Sequence, residues 1–546
     1  MKVRAWCWFS CLAAVACGTA PVGGDDDLAE PSESSEGAHS GASPLGLDLV
    51  GFRDAAAWEA RAPDRGAVPW GDCPEWFRSE CATVKVPVDW QHPRKGTIDV
   101  FMSRYQAANP DRSNVRQLWL LAGGPASAEI WEGQFDTVFS FWHENYDIHV
   151  IEYRGIGDST RLSCPQEEDD GSDGGAAITE AEWPACLQSL RDQWGAKLGD
   201  FTVTNIARDL KYLIYRTKLR ERQEVFLYGQ SFGTLIAERF LQVAPAHVSG
   251  VMLDSIVSPD KSSTFDNRFQ YDPVVRDLSA LCDQDPVCGA KLGGNAWSFV
   301  RSTLAKLDDP QHCPNLGFDS FTFGDFATQL MVYRRPRVHV FPLLYRAARC
   351  SPGDVAAIAH YREFWDPGPP FLGRSSDALA AHLAFSELVP RKPPRLETIQ
   401  AQCERAAFCP AYILEGRRRY DIWPLYDLDR FAFRWPQTRT PLLALNGDLD
   451  PSTPYPQAAA IQRVLRGPQQ NYVQVPQATH FSVLQTTVKT PGQPTCGLQM
   501  MQSFTEHPEE RPNTDCLADI VPLGFAETQA GAQLFFGQDD IWENGP

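Results

Sequence analysis

The hydrophobic pattern of the first half of the chain predicts strands of two kinds. Residues 83–88 and 97–105 alternate apolar and polar side chains, as half-buried antiparallel strands do. Further on, short apolar runs that end in Gly-rich turns span residues 117–121 and 147–152, and further predicted strands span residues 224–228 and 248–254. This pattern suits interior parallel strands that expose loops at their carboxyl ends.

Segments with helical periodicity lie between these runs. Residues 205–219 place Ile206, Leu210, Leu213 and Ile214 on one helical face, and residues 232–243 form the next predicted helix. Strands that alternate with helices indicate a parallel sheet covered by helices on both faces. The sequence therefore predicts an α/β fold.

Beyond Pro259 this alternation stops, and the chain becomes helical and aromatic up to about residue 435. The sheet resumes at residues 441–446, a helix begins near Pro456, and a last strand covers residues 471–475. We predict a core with a helical lid inserted into it. The predicted segments are an export signal (1–17), an acidic disordered tether (18–48), the first part of the core (49–259), the lid (260–435), the second part of the core (436–524) and a tail without predicted structure (525–546).

The N-terminus resembles an export signal. Lys2 and Arg4 precede an apolar run, residues 5–16, that is too short to span a bilayer. Residues 14–17 (AVAC) resemble a bacterial lipobox, in which Cys17 would carry the lipid; plain secretion is the alternative. Membrane contact is expected only through this anchor.

From residue 73 onward the cysteines fall into couples that are neighbours in sequence, which indicates disulfides formed in an oxidising compartment. Free buried thiols are the alternative interpretation. No couple has zinc-finger spacing with histidines, so no metal site is predicted. The proposed pairs are Cys73–Cys81, Cys164–Cys186, Cys282–Cys288, Cys313–Cys350, Cys403–Cys409 and Cys496–Cys516.

The net charge is −19 and the pI is about 5.1. An acidic body repels nucleic acids and anionic membranes, so neither is expected as a partner. A peptide or another small acyl substrate remains open, and so does the oligomeric state.

The strongest chemical motif is G-x-S-x-G at residues 229–233, which lies between a predicted strand and a predicted helix. Its glycines permit a sharp turn that exposes the hydroxyl of Ser231 above the sheet. An ordinary tight turn is the other interpretation of the same residues. In its strand-turn-helix setting the motif predicts a nucleophile.

A serine hydroxyl needs a base, and the base needs a carboxylate that orients it; in this arrangement the chain order is serine, acid, histidine. Asp450 follows the predicted strand 441–446, with Asp448 as its rival. His480 follows the predicted strand 471–475. The predicted catalytic residues are therefore Ser231, Asp450 and His480, and this chemistry needs no cofactor.

The negative charge that develops on the substrate oxygen needs backbone N–H donors. One is expected from Phe232, the residue after the nucleophile. The other is expected from the glycine-rich loop at residues 122–126, through Gly124.

Four motifs in this order resemble the α/β-hydrolase group of proline iminopeptidases and tripeptidyl aminopeptidases. They are residues 123–125 (GGP), 152–159 (EYRGIGDS), 229–234 (GQSFGT) and 447–454 (GDLDPSTP), within a similarity that spans most of residues 70–520. The region from Cys496 to Cys516 is similar to the C-terminal region of secreted tripeptidyl aminopeptidases.

The resemblance implies an α/β-hydrolase fold and cleavage of short peptides from a free amino end. It also implies that an acidic residue of the lid binds the substrate ammonium, and Glu387 lies where related sequences often have such a glutamate; a solvated surface glutamate is the alternative. Two other functions stay open at this point. An esterase or lactonase would use the same three residues, and a catalytically silent binding scaffold would keep only the fold.

Overall fold

One nine-stranded sheet organises the computed structural model, which describes residues 67–74, 79–132, 134–135, 137–169, 171–173, 177–261, 264–265, 270–365 and 374–544. The strands are β1 (Gly71–Asp72), β2 (Glu80–Pro87), β3 (Thr97–Tyr105), β4 (Arg116–Leu121), β5 (Tyr146–Ile151), β6 (Val225–Gln230), β7 (Gly250–Asp254), β8 (Leu442–Gly447) and β9 (Gln470–Val475). Their order across the sheet is β1-β2-β3-β5-β4-β6-β7-β8-β9. The pairs β1–β2, β2–β3 and β3–β5 are antiparallel. The remaining pairs, β5–β4, β4–β6, β6–β7, β7–β8 and β8–β9, are parallel.

Side-chain alternation along the central strands divides the core into two layers. On β4, Trp119 and Leu121 pack with the apolar side chains of residues 203–217 and 232–243 on one face of the sheet. Leu118 and Leu120 point to the opposite face, where they pack with residues 496–506. Because successive residues of a strand face opposite sides, an apolar strand must be covered on both faces of the sheet. The helices on the two faces confirm the predicted α/β fold.

The described helices lie before and after β8 in the chain. Those before β8 are α1 (Glu129–Glu132), α2 (Ser140–His143), α3 (Pro165–Glu168), α4 (Trp183–Trp194), α5 (Val203–Thr217), α6 (Phe232–Val243), α7 (Tyr271–Gln284), α8 (Pro286–Leu292), α9 (Ala296–Leu307), α10 (Ser320–Met331), α11 (Pro336–Arg349), α12 (Pro352–Trp365), α13 (Asp377–Glu387), α14 (Leu396–Arg405) and α15 (Ala411–Tyr420). Those after it are α16 (Tyr455–Ala458), α17 (Cys496–Glu506) and α18 (Gln529–Phe536).

Helices α7 to α12 build an apolar core of their own, separate from the two layers of the sheet. The C-terminal segment joins this core. Phe525, Phe536 and Trp542 are buried in it, and α18 lies in the tail, for which no structure was predicted. The apolar residues of the tail take their partners from lid helices that are distant in the chain.

Six disulfides link the described cysteines, and they are the six predicted couples. Disulfides of this number are typical of proteins that fold in an oxidising compartment. The predicted export signal, lipobox and tether lie outside the described residues. In the described part of the chain, no helix has both the length and the apolar character needed to cross a bilayer.

Candidate active site

Ser231 stands in a strained turn between β6 and α6. Its φ is +53°, a left-handed value that a side chain other than glycine rarely adopts. A Cβ at Gly229 would come within 2.5 Å of the carbonyl oxygen of Gly233, and a Cβ at Gly233 within 2.1 Å of that of Leu121. Both glycines are therefore required sterically, because the backbone of this turn, the nucleophile elbow at residues 229–233, packs directly against itself and against the end of β4.

The glycine-rich loop after β4 lies directly against this serine. A Cβ at Gly123 would lie 2.8 Å from the Cβ of Ser231 and 3.4 Å from its Oγ. Gly124 follows with a φ of +111°, and Phe232 is the first residue of α6. The first N–H groups of a helix have no acceptor inside the helix. The two expected oxyanion donors, Gly124 and Phe232, thus belong to the backbone segments that adjoin Ser231.

Asp450 and His480 meet at the carboxyl ends of β8 and β9. The Nδ1 of His480 lies 2.8 Å from Oδ2 of Asp450, and both side chains are buried. Oδ1 of Asp450 accepts the backbone N–H groups of Ser452 and Thr453, and the hydroxyl of Thr453 donates to Oδ2. The Asp450 carboxylate thus has three donors besides His480, and its hydrogen bond to Nδ1 leaves Nε2 of His480 as an acceptor.

The rival acid, Asp448, has a different environment. Its backbone N–H donates to the carbonyl of Val475, while its Oδ1 is buried and has no hydrogen-bond partner among the described residues. Burial raises the pKa of Asp448 to about 6, against the opposing charge of Arg337. The geometry thus favours Asp450 as the acid that orients His480.

The serine and the histidine are connected through one dipeptide at the end of β7. The backbone N–H of Ser231 donates to the carbonyl of Asp254 at 2.9 Å. The backbone N–H of Phe481, next to the histidine, donates to Oγ of Ser255 at 2.8 Å. The structure therefore brings the loops of all three predicted catalytic residues to one edge of the sheet.

The structure contradicts the role expected for Glu387. Its carboxylate is buried and forms an ion pair with the guanidinium of Arg239, and the hydroxyl of Tyr426 donates to it. A carboxylate engaged in this way is not free for a substrate ammonium. The sequence could not indicate this, because Arg239 lies on α6, far from Glu387 in the chain.

We expect Glu387→Ala to destabilise the protein by about 3–5 kcal/mol, because it leaves the charge of Arg239 buried without a partner. Urea unfolding followed by circular dichroism measures the change. Glu404→Ala, at an exposed position of α14, is the control and should stay within about 0.5 kcal/mol of the wild type. A loss of similar size in both variants would show that the buried ion pair contributes nothing particular.

Several residues of the site were not singled out from the sequence. Thr453 contacts Asp450, and Asp254 and Ser255 contact the serine and histidine loops. A signal for Asp254 did exist: it ends a predicted strand, at the sheet edge where residues after parallel strands meet. A residue that holds a catalytic loop by contacts to the backbone of that loop has no sequence motif by which it could be recognised.

Comparisons with known proteins agree with this fold. Residues 118–276 match the family described as alpha/beta hydrolase fold. A 229-residue segment is 28% identical to the tripeptidyl aminopeptidase of Streptomyces coelicolor and covers 38% of this chain and 41% of that protein. The serine protease Hip1 of Mycobacterium tuberculosis is 25% identical over 197 residues, 33% of this chain and 36% of that protein.

Among solved structures, an esterase from Exiguobacterium antarcticum is similar with 14% identity and a TM-score of 0.31, over 70% of this chain and 89% of that one. A TM-score of this size carries no argument about activity. The segment aligned with the Streptomyces enzyme spans less than half of that protein's length. The predicted resemblance to an α/β-hydrolase serine peptidase is confirmed by these relatives, and the substrate is a separate question.

Proposed function

We propose that this protein is an exported serine hydrolase, an aminopeptidase that releases residues or short peptides from free N-termini through an acyl-enzyme. The observation that carries the proposal is the hydrogen bond between His480 and Asp450. It lies at the same edge of the sheet as the strained turn that contains Ser231. A strained nucleophile beside an oriented imidazole is the arrangement that acyl transfer requires.

The chemistry follows from these groups. His480 takes the proton of the Ser231 hydroxyl through Nε2 while Oγ attacks the substrate carbonyl. Asp450 stabilises the imidazolium that forms, and the N–H groups of Gly124 and Phe232 receive the developing oxyanion. The imidazolium then protonates the leaving amine, and water attacks the acyl-enzyme with His480 again as the base.

The peptidase assignment is supported by the relatives, one named a tripeptidyl aminopeptidase and the other a serine protease. The triad by itself does not distinguish amide from ester substrates, because both proceed through the same tetrahedral intermediate. The choice of an amide substrate with a free amino end is therefore the part of the proposal that needs its own test.

We expect the purified protein to release the chromophore from an unblocked peptide amide about 10- to 100-fold faster than from the same peptide with an acetylated N-terminus. A site that binds an ammonium and buries it loses an ionic hydrogen bond when the group is blocked, worth roughly 1.5–3 kcal/mol. Initial rates for the matched pair of substrates measure this preference.

A short acyl ester and Ser231→Ala serve as controls in the same assay. Equal rates on the blocked and unblocked peptides would refute the proposal that the protein is an aminopeptidase. Turnover of the ester alone would favour an esterase or lactonase, and a folded protein without turnover of any of them would favour the binding scaffold.

Export is proposed from the predicted N-terminal signal together with the six disulfides. An oxidising compartment maintains such bonds, whereas the bacterial cytosol reduces them. Residues 14–17 resemble a lipobox that would place the lipid on Cys17, and plain secretion is the alternative. The mass of the mature N-terminal peptide distinguishes a lipidated cysteine from a plain secreted end.

A further inference from the structure

The end of β7 is bonded to both loops of the proposed site. Its last residue, Asp254, receives the N–H of Ser231 through its backbone carbonyl. Ser255, the next residue, donates its own N–H to the carbonyl of Leu445 on β8. The turn after β7 is thus held between the strand that precedes the nucleophile and the strand that precedes Asp450.

The side chain of Asp254 contacts the histidine loop, the segment around His480 that includes Val483. Its carboxylate is fully buried, and Oδ2 accepts the backbone N–H of Val483 at 3.1 Å and the hydroxyl of Tyr228 at 2.9 Å. Val483 lies three residues after His480. A buried carboxylate with these donors anchors the segment that follows the histidine to the central sheet.

Ser255 holds the same loop one step nearer to the imidazole. Its Oγ accepts the N–H of Phe481 at 2.8 Å and lies 3.3 Å from Oδ1 of Asp254. Ser255 has a φ of +61° and Phe481 has a φ of +63°. Left-handed conformations of this kind persist only where surrounding contacts enforce them, so this hydrogen bond joins two strained residues.

Other anchors of the histidine loop come from the lid, from the turn after β8 and from the segment that follows the loop. The hydroxyl of Thr479 donates to the carbonyl of Met331, and the side chain of Gln485 donates to the carbonyl of His480. Asp254 and Ser255 are the contacts that relate the loop to the end of β7, where the carbonyl of Asp254 also accepts the N–H of Ser231. The imidazole is bonded to Asp450, and the buried carboxylate of Asp254 also interacts with it electrostatically.

We propose that Asp254 and Ser255 are positioning residues of the proposed hydrolase, which hold the segment after His480 so that its imidazole faces Ser231. This inference rests on the proposed function and adds two residues to it. Neither side chain touches the substrate. Both act through the backbone N–H groups of Phe481 and Val483.

The test compares Asp254→Asn and Ser255→Ala with the wild type at about pH 8. Burial raises the pKa of Asp254 to about 6, so its carboxyl is ionised under these conditions. We expect kcat to fall about 10- to 100-fold in each variant with KM changed less than about threefold, because misplacing a catalytic group by an ångström costs about that much. We also expect faster amide hydrogen exchange in residues 479–484.

Asp147→Asn is the matched control. Asp147 is an equally buried carboxylate of the same sheet that accepts one backbone N–H, from Ala107, and pairs with Arg112. It lies at the amino end of β5, the edge opposite the site. We expect this variant to lose stability but to keep kcat within about twofold and the exchange of residues 479–484 unchanged.

The outcomes separate the inference from the function on which it rests. An active wild type with unchanged kcat and loop exchange in both site variants would overturn the positioning role and leave the hydrolase intact. An equal loss of kcat in Asp147→Asn would also overturn it, because the effect would then be general destabilisation. A wild type without hydrolase activity would refute the proposed function. Amide hydrogen exchange in residues 479–484 would then still show whether Asp254 and Ser255 anchor the histidine loop. If Asp254→Asn fails to fold, Ser255→Ala decides by the same criteria.

Discussion

Ser231→Ala is expected to lower kcat on an unblocked peptide amide by about five to six orders of magnitude, with unfolding in urea close to that of the wild type. Without the hydroxyl no acyl-enzyme forms, and the residual rate comes only from substrate binding and the oxyanion donors. Steady-state rates at saturating substrate measure kcat, and unfolding monitored by circular dichroism shows that the variant is folded.

Ser258→Ala is a suitable control, since Ser258 is buried near the same edge but bonds to Asp260. Its kcat should stay within about tenfold of the wild type. A Ser231→Ala variant that retains more than about one hundredth of the wild-type kcat would mean that another group is the nucleophile.

Asp450→Asn is expected to lower kcat by about four orders of magnitude, because the amide cannot stabilise the imidazolium and favours the wrong tautomer of His480. Asp448→Asn should lower it less than about tenfold, since the Asp448 carboxylate makes no hydrogen bond to the imidazole among the described residues. The same assay on the two purified variants measures both values.

The two aspartates lie two residues apart in one turn after β8, so each variant controls for local disturbance in the other. A larger loss in Asp448→Asn than in Asp450→Asn would show that the orienting acid was assigned to the wrong residue. Equal losses would show that the turn, rather than one carboxylate, determines the rate.

The sheet could be predicted because its central strands carry their information locally. Residues 117–121 and 248–254 are short, mostly apolar runs, and they form β4 and β7 with boundaries shifted by one or two residues. Helix α5 was equally clear, since its apolar face repeats at helical spacing, and Thr202 caps its N-terminus by accepting the N–H of Asn205. Signals of this kind do not depend on distant residues.

The parts that were missed or wrong depend on contacts between distant segments. Glu387 faces Arg239 rather than a substrate, and the resemblance of its position to a family pattern contained no information about that partner. Asp254 supports His480 from another strand, and its role is visible only once Val483 is seen to donate to it. Local sequence shows neither relation.

Backbone strain concentrates where the chemistry is proposed. Six non-glycine residues of the described part have a positive φ, and four of them, Ser231, Ser255, Gln477 and Phe481, lie on the loops around the site. Such conformations cost roughly 1–3 kcal/mol each and persist where the surroundings enforce them. The N–H of Ser231 donates to the carbonyl of Asp254 and the N–H of Phe481 donates to Oγ of Ser255, so hydrogen bonds to the end of β7 hold both strained loops.

The most direct test of the proposed triad is the site of covalent modification by a fluorophosphonate, located by mass spectrometry of the digested protein. The reagent reacts with a serine that an adjacent imidazole activates. We predict a single adduct on Ser231 in the wild type and none in folded His480→Ala. An adduct on a different residue, or equal labelling of Ser231 without the imidazole, would contradict the account.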